Sequence, residues 1–176
     1  MSTGERTAED RAAAIEALTA TLNAGLDADE KAANRAARDH DGRWQVDPGD
    51  GSWGDDMIRA VTGRAVSALV DDMANCGPYQ SAHIARHDPA RTLRDVKAGR
   101  DLITAILAEP HDYNPCDEYY SCSQAEDPDP PPGEGGPGSG CADDDRAGQP
   151  CDCGRDARVE RLLRILAGVY EDGGGR

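Results

Sequence analysis

Along residues 7–39 the bulky apolar positions recur at three- and four-residue steps: Ala12, Ile15, Leu18, Leu22 and Leu26. That spacing collects them on one face of a helix, and the abundant Ala raises helix propensity. Gly25 weakens the middle, and Asp27 marks a break or a second start. The stripe carries one bulky residue per turn, narrower than the apolar face of most globular helices. It suits packing on the chain's other helices, with half of a helical hairpin or a coiled-coil arm as the alternative.

Residues 40–56, HDGRWQVDPGDGSWGDD, break this period with Pro, Gly and Asp turn signals. Within them Trp44 and Val46 can start a short strand. Two β-tolerant runs then flank Thr62-Gly63, which predicts a small β-hairpin over 57–70. Ile58, Val61, Ala65 and Leu69 also fit helical spacing, so a helix remains the competing reading there. Residues 80–109 read as helix in two pieces. Asp88 is placed to cap the second piece and Pro89 to occupy its first position, where a missing N–H costs nothing. Leu93, Val96, Ile103, Ile106 and Leu107 form its inward stripe, and Pro110 stops it. A last helix runs from about Arg155 to Tyr170, with Val159, Leu162, Leu163, Leu166, Val169 and Tyr170 on the helical template. Gly173 to Gly175 end it. The fold class is therefore mainly α with a minor β part: two to three long helices, a small β-hairpin and a Cys/His loop stapled by zinc.

Composition narrows the function more than the fold. The chain has 176 residues, 34 acids, 19 bases and a net charge of −15. Aromatics are 4% and Phe is absent, which argues against a large, well-filled core. The charge opposes general phosphate binding. There is no run of 18 apolar residues to cross a membrane, and the first residues lack the basic-then-apolar pattern of an export signal, so a cytoplasmic location is expected. Only Lys31 and Lys97 are lysines; the other 17 bases are Arg, a bias that GC-rich codons produce. The charge is also uneven. Between Asp112 and Asp152 there are eleven acids against one base, Arg146, a net −10 of the total.

That acidic span holds most of the candidate chemistry. Residues 111–154 carry five of the six cysteines, and 123–140 read as a disordered acidic Pro/Gly spacer with too little apolar content to fold. The expected layout is a helical body over 1–122 with its small β element, the spacer over 123–140, and a Cys-containing segment with the C-terminal helix over 141–176. In a reducing compartment thiols stay free, which leaves metal binding, catalysis or incidental thiols. The pattern is His111-x4-Cys116-x5-Cys122, then Cys141-x9-Cys151-x-Cys153. Zinc takes four N or S ligands, commonly from two short-range pairs. Cys116, Cys122, Cys151 and Cys153 are the expected ligands, with His111 or Cys141 as substitutes. Such a site closes a loop that has no core, so binding energy becomes folding energy. Unliganded thiols on a mobile loop are the competing reading, with a redox pair or disulfide behind it.

No phosphate-binding glycine loop, nucleophile elbow or HExxH motif is present, and the acidic loop lacks the cationic surroundings that lower a thiol pKa. No catalytic residue is assigned, and an enzyme with a thiol or metal-bound water is the least favoured class. Arg86, Arg91, Arg94, Arg155 and Arg158 are candidate interaction residues, for a protein partner or, as an alternative, for nucleic acid; on an amphipathic helix such Arg also reads simply as the solvated face. His83 and His87, four residues apart, share a helix face and suit either metal chelation or a polar cap ahead of Asp88-Pro89.

The run HIARHDPAR, with His83, His87, Asp88 and Pro89, followed by Leu93-Arg94-Asp95-Val96, resembles the signature of a family of small proteins known as domain of unknown function 6221. The similarity continues through Pro150-Cys151 and the segment from Leu163 to Tyr170. It covers most of the chain, less closely before residue 80, and departs from the family pattern in the insert 123–140 and in Cys153. The resemblance implies a leading amphipathic helix, a Trp-containing β segment, the signature helix and a His/Cys loop. It also implies an actinobacterial or phage source, and it supplies no activity.

Overall fold

The structure is a computed structural model and describes residues 7–38, 42–47, 57–60, 78–116, 120–130 and 132–171. In chain order these form α1 (Ala8–Ala36), β1 (Trp44–Asp47), β2 (Met57–Ala60), α2 (Pro78–Arg86), α3 (Pro89–Leu107) and α4 (Arg155–Glu171). The mainly helical class is as the periodicity predicts. Two compact units divide the chain, one from Met1–Asn23 with Leu102–Arg176 and one from Ala24–Asp101. Each of α1 and α3 lends one part to each unit.

Helix α1 begins at a capping box the apolar pattern does not reveal. The Asp10 N–H donates to Thr7 Oγ1 at 3.1 Å, and the Thr7 N–H and hydroxyl donate to Asp10 Oδ2 at 3.2 and 2.8 Å. These bonds satisfy donors that a helix start leaves open. The helix then runs unbroken through Gly25 and Asp27. Packing and neighbouring charges override the local weakness there. Leu18, Leu22, Leu26 and Ala33 are buried, as the stripe requires, whereas Ala12 is exposed.

In the Ala24–Asp101 unit, α1 and α3 approach closely at Gly99. A side chain there would press on Leu26, 3.0 Å from the built Cβ position. At the next residue the Arg100 guanidinium donates to Asp27 at 2.7 Å and to Glu30 at 2.6 Å. The two carboxylates hold the Arg100 pKa above its ordinary value, Glu30 more than Asp27. Asp88 caps α3 as expected: its Oδ1 accepts from the Arg91 N–H at 2.5 Å, and Pro89 sits at the first helical position. Gly42 takes a positive φ of 74° and its carbonyl accepts from the Ala90 N–H at 3.0 Å. A Cβ there would meet Ala37, Ala90 and Pro89.

β1 and β2 pair antiparallel, with Trp44 opposite Ala60 and Asp47 opposite Met57, and α2 lies against both. Of the expected hairpin over 57–70, the strand Met57–Ala60 is present, and among the described residues its partner is the Trp44 strand. Residues 61–77, with the rest of that hairpin and Cys76, lie outside the described residues.

In the other unit α4 buries Val159, Leu163 and Ala167, each at 0% exposure. These sit four residues apart on one line. Leu162 (37%) and Val169 (74%), expected inward, face outward with Ile165 (67%). Small Ala167 takes the inward position that the bulky residues were expected to fill. Glu160 ties α4 to α1, accepting from Arg164 at 2.7 Å and lying 3.8 Å from Arg11.

Leu163→Ala leaves a cavity in a site with no exposure and is expected to cost about 2–5 kcal/mol in denaturant unfolding. Ile165→Ala, on the same helix but exposed, is expected to change stability by no more than about 0.5 kcal/mol.

Candidate metal centre

Arg155, the first residue of α4, reaches back to the end of α3. Its guanidinium donates to the carbonyls of Glu109 (2.8 Å) and Leu107, two of the acceptors a helix end leaves open. Arg158, one turn on, donates through Nε to Glu109 Oε1 at 2.9 Å and through Nη1 to the Cys153 carbonyl at 3.2 Å. The Glu109 hydrogen bond raises the Arg158 pKa above its ordinary value. Two arginines expected on an interaction face are therefore engaged inward, where they hold residues 107–109 against the start of α4. Two residues beyond Glu109 stands His111.

The chain then makes a loop that returns to the same place. The Cys122 N–H donates to the Asp112 carbonyl at 2.8 Å, and the Asn114 N–H to Ser121 Oγ at 2.9 Å. These two bonds close a loop from 112 to 122 and set Cys122 beside His111. Cys116 falls near the far end of the loop, exposed, with its N–H on Asn114 Oδ1.

The segment 123–140, expected to be a flexible spacer, is instead folded in its described part. Its small residues allow this. Ala125 is fully buried, and its carbonyl accepts from Gly138 (3.1 Å) and Gly140 (3.0 Å). Gly138 has φ 88°, and a Cβ there would strike the Gly148 nitrogen. A Cβ on Gly140 would strike the ring of Tyr113, 2.8 Å away. Backbone hydrogen bonds, not apolar side chains, order this loop, so low apolar content is a poor guide to it.

Ser121 and Ser123, both buried, join the first part of the loop to the second. The Ser123 hydroxyl lies 3.1 Å from the Gln149 carbonyl and 2.8 Å from that of Pro150. Its N–H donates to Asp152 at 3.2 Å and its carbonyl accepts from Gly148 at 2.8 Å. Arg146 bridges the Ser121 carbonyl (3.2 Å) and the Asp152 carboxylate (2.5 Å). Partial burial pushes the Asp152 pKa up, but hydrogen bonds from Arg146, Cys122 and the Ser123 N–H outweigh it, and the net shift is downward. These bonds flank Cys122 on one side and Cys151 and Cys153 on the other.

The result is a group of four donors, His111, Cys122, Cys151 and Cys153, whose ligand atoms all lie within 4.8 Å of one another. His111 Nδ1 is 3.5 Å from Cys122 Sγ and 3.8 Å from Cys153 Sγ, and the sulfurs of Cys151 and Cys153 are 3.6 Å apart. The Gln124 N–H points at Cys122 Sγ at 3.5 Å. Cys122 is buried and the other three are half-buried. Three thiols and one imidazole so placed can hold a metal ion.

Of the six expected ligands, four are brought together. His111 takes the place expected for Cys116, because the loop closes at 112 and 122 and carries Cys116 away. Cys141 is buried apart from the group, its thiol 3.8 Å from the Asp143 carbonyl. The rings of His83 and His87 lie 4.5 Å apart, tilted by 50°, and among the described residues they join no third His, Cys, Asp or Glu in such a group. Arg91 bridges the Arg86 carbonyl (3.3 Å) and Asp95 (3.5 Å), while the side chains of Arg86 and Arg94 are exposed. The signal for the Arg155 and Arg158 clamp in the sequence is only their position at the helix start, two and five residues beyond the Cys-x-Cys.

Fold and site define a mainly helical protein whose acidic loop gathers three cysteines and one histidine into a possible metal centre. The chain belongs to the family of unknown function DUF6221, which it matches over residues 4–173. No curated protein and no solved structure matches it.

Gly138→Ala combines a forbidden φ with a backbone clash and should loosen the loop. The expected result is destabilisation by at least about 1–3 kcal/mol in thermal or denaturant unfolding. Gly133→Ala, also at positive φ but with nothing near its Cβ, should cost less than Gly138→Ala in the same measurement.

Proposed function

We propose that the four-residue group is a structural zinc site and that the protein is a small cytoplasmic interaction module held together by it. The observation that carries the reading is the spacing of the donor atoms. A tetrahedral zinc with bonds of about 2.3 Å to sulfur and 2.0–2.1 Å to nitrogen requires sulfur–sulfur edges near 3.8 Å and nitrogen–sulfur edges near 3.5 Å. The distances of 3.6, 3.5 and 3.8 Å fit a single ion of that kind. Four protein donors leave no open position, which favours a structural over a catalytic metal. The donor set of three sulfurs and one imidazole suits zinc better than magnesium or calcium, which prefer oxygen.

The interaction role rests on what the zinc site leaves outside. Leu162, Ile165 and Val169 lie exposed on α4 at steps of three and four, a pattern a protein partner can cover. The nucleic-acid alternative has less support, since Arg91, Arg100, Arg146, Arg155, Arg158 and Arg164 already engage carboxylates of this chain. No described helix is long and apolar enough to cross a membrane. An actinobacterial or phage source belongs to the same reading and is supported by the Arg-rich, Lys-poor composition.

Metal analysis of the purified protein should find about one zinc per chain, and a strong chelator should lower the melting temperature. Cys122→Ser and Cys153→Ser should lose the metal, while Cys116→Ser and Cys141→Ser keep it. Zinc below about a tenth of an equivalent, with no chelator effect on melting, contradicts the reading. For the interaction role, one polypeptide captured by the wild-type chain and lost with Ile165→Glu is the expected outcome, provided that variant still binds zinc.

A further inference from the structure

The four donors of the metal centre differ in how they can be reached. Cys122 is 2% exposed, and its sulfur receives the Gln124 N–H. Cys151 and Cys153 are half-buried, two residues apart, with sulfurs 3.6 Å from each other. Cys141 is buried, and Cys116 is exposed but outside the group. The two reachable thiols of the group are therefore also a close pair. Two residues of chain span at most about 7 Å, so their Cα atoms can come within disulfide range with little backbone movement.

We propose that Cys151 and Cys153 are a peroxide-oxidisable pair, and that closing their disulfide releases the metal and unties the acidic loop. The release part rests on the zinc reading above. Metal ligation keeps both sulfurs as thiolates, the nucleophilic form. One thiolate attacks the peroxide: an S–O bond forms, the O–O bond breaks and hydroxide leaves, giving a sulfenic acid. The second thiolate attacks that sulfur. An S–S bond forms, the S–O bond breaks and a second hydroxide leaves. With two protons from solvent the products are one disulfide and two waters. Two electrons pass from the sulfur pair to the peroxide, and zinc leaves as the unchanged divalent ion. His111 and Cys122 alone are too few to retain it.

The structural consequence follows from where the pair sits. Cys151 and Cys153 join the loop to the start of α4, and Cys122 and His111 join it to the end of α3. With the metal gone, these ends keep the hydrogen bonds of Arg155, Arg158, Ser123 and Asp152 and the Arg158–Glu109 ion pair among the described residues. A ring closed over one intervening residue is strained, and strained disulfides reduce readily, so the change is reversible by thiol reductants.

The test uses the full-length, zinc-loaded protein, hydrogen peroxide and a chromogenic zinc chelator, followed by alkylation and tryptic mass mapping. The peptide Ala147–Arg155 contains both cysteines, so their disulfide appears as the loss of two hydrogens within one peptide. About one zinc should be released per disulfide formed, and reductant should restore zinc uptake. Cys116→Ser should release zinc at a rate within about twofold of wild type. Release of zinc without that peptide's disulfide, or a disulfide formed chiefly through Cys122 or Cys116, overturns the proposal. So does retention of zinc while Cys116 is oxidised. If the protein purifies without zinc, peroxide treatment of the metal-free chain separates the two ideas. The same internal disulfide then supports the reactive pair while the zinc reading fails, and its absence removes both.

Discussion

Arg155 joins the end of α3 to the beginning of α4, and the candidate metal centre depends on that junction. A guanidinium is a planar fork with several donors, and here it caps two carbonyls that would otherwise be open. A lysine could not reproduce the arrangement, since its donors radiate from one nitrogen. With 107 and 109 fixed against residue 155, His111 has only two residues in which to depart, and Cys153 lies two residues before the clamp. The imidazole and the thiol therefore meet at 3.8 Å although 42 positions separate them in the chain. Arg158 strengthens the same junction by holding both the Glu109 side chain and the Cys153 carbonyl.

The loop between those helices is built on a different principle. Its core is backbone: Ala125 with two glycines on its carbonyl, and Ser121 and Ser123 laced to residues 146–152. Such a loop buries little apolar surface, and hydrogen bonds contribute only about 1 kcal/mol each. A bound ion would supply the missing stabilisation for this segment. Asp152 orders Arg146 and the Ser123 N–H beside the group that could hold a metal ion.

The arginines show how the same residues serve differently by position. Among the described residues, Arg11, Arg91, Arg100, Arg146, Arg155, Arg158 and Arg164 spend their charge on carboxylates within the chain, and Arg155 and Arg158 also cap or brace backbone carbonyls beside the candidate metal centre. Ion pairs as exposed as that between Lys97 and Asp101 contribute little to stability. Arg155, whose side chain is 15% exposed, does more by geometry than by charge. The outward face of α4 carries Leu162, Ile165 and Val169 beside the exposed Arg161 and Arg164, and the three apolar residues distinguish it from an ordinary solvated helix face.

Much of the helical frame was legible from local chemistry alone. The three- and four-residue steps of Leu18, Leu22 and Leu26 place one stripe. Asp88-Pro89 marks the start of α3, and the run from Val159 marks α4. Each of these signals acts within one helix turn, which is why a single sequence reveals it. The acidic span was also identifiable as the place for a candidate metal centre, because thiols and an imidazole concentrate there. What only the tertiary structure decided was which four of six candidates meet, which strand pairs with Met57–Ala60, and that the Pro/Gly stretch folds. Those outcomes depend on contacts between distant residues: Arg155 with the end of α3, Cys122 with Asp112, Ser123 with Pro150. Hydrogen bonds of this kind carry no periodicity, so the sequence alone could place the cysteines in one loop but not choose His111 over Cys116.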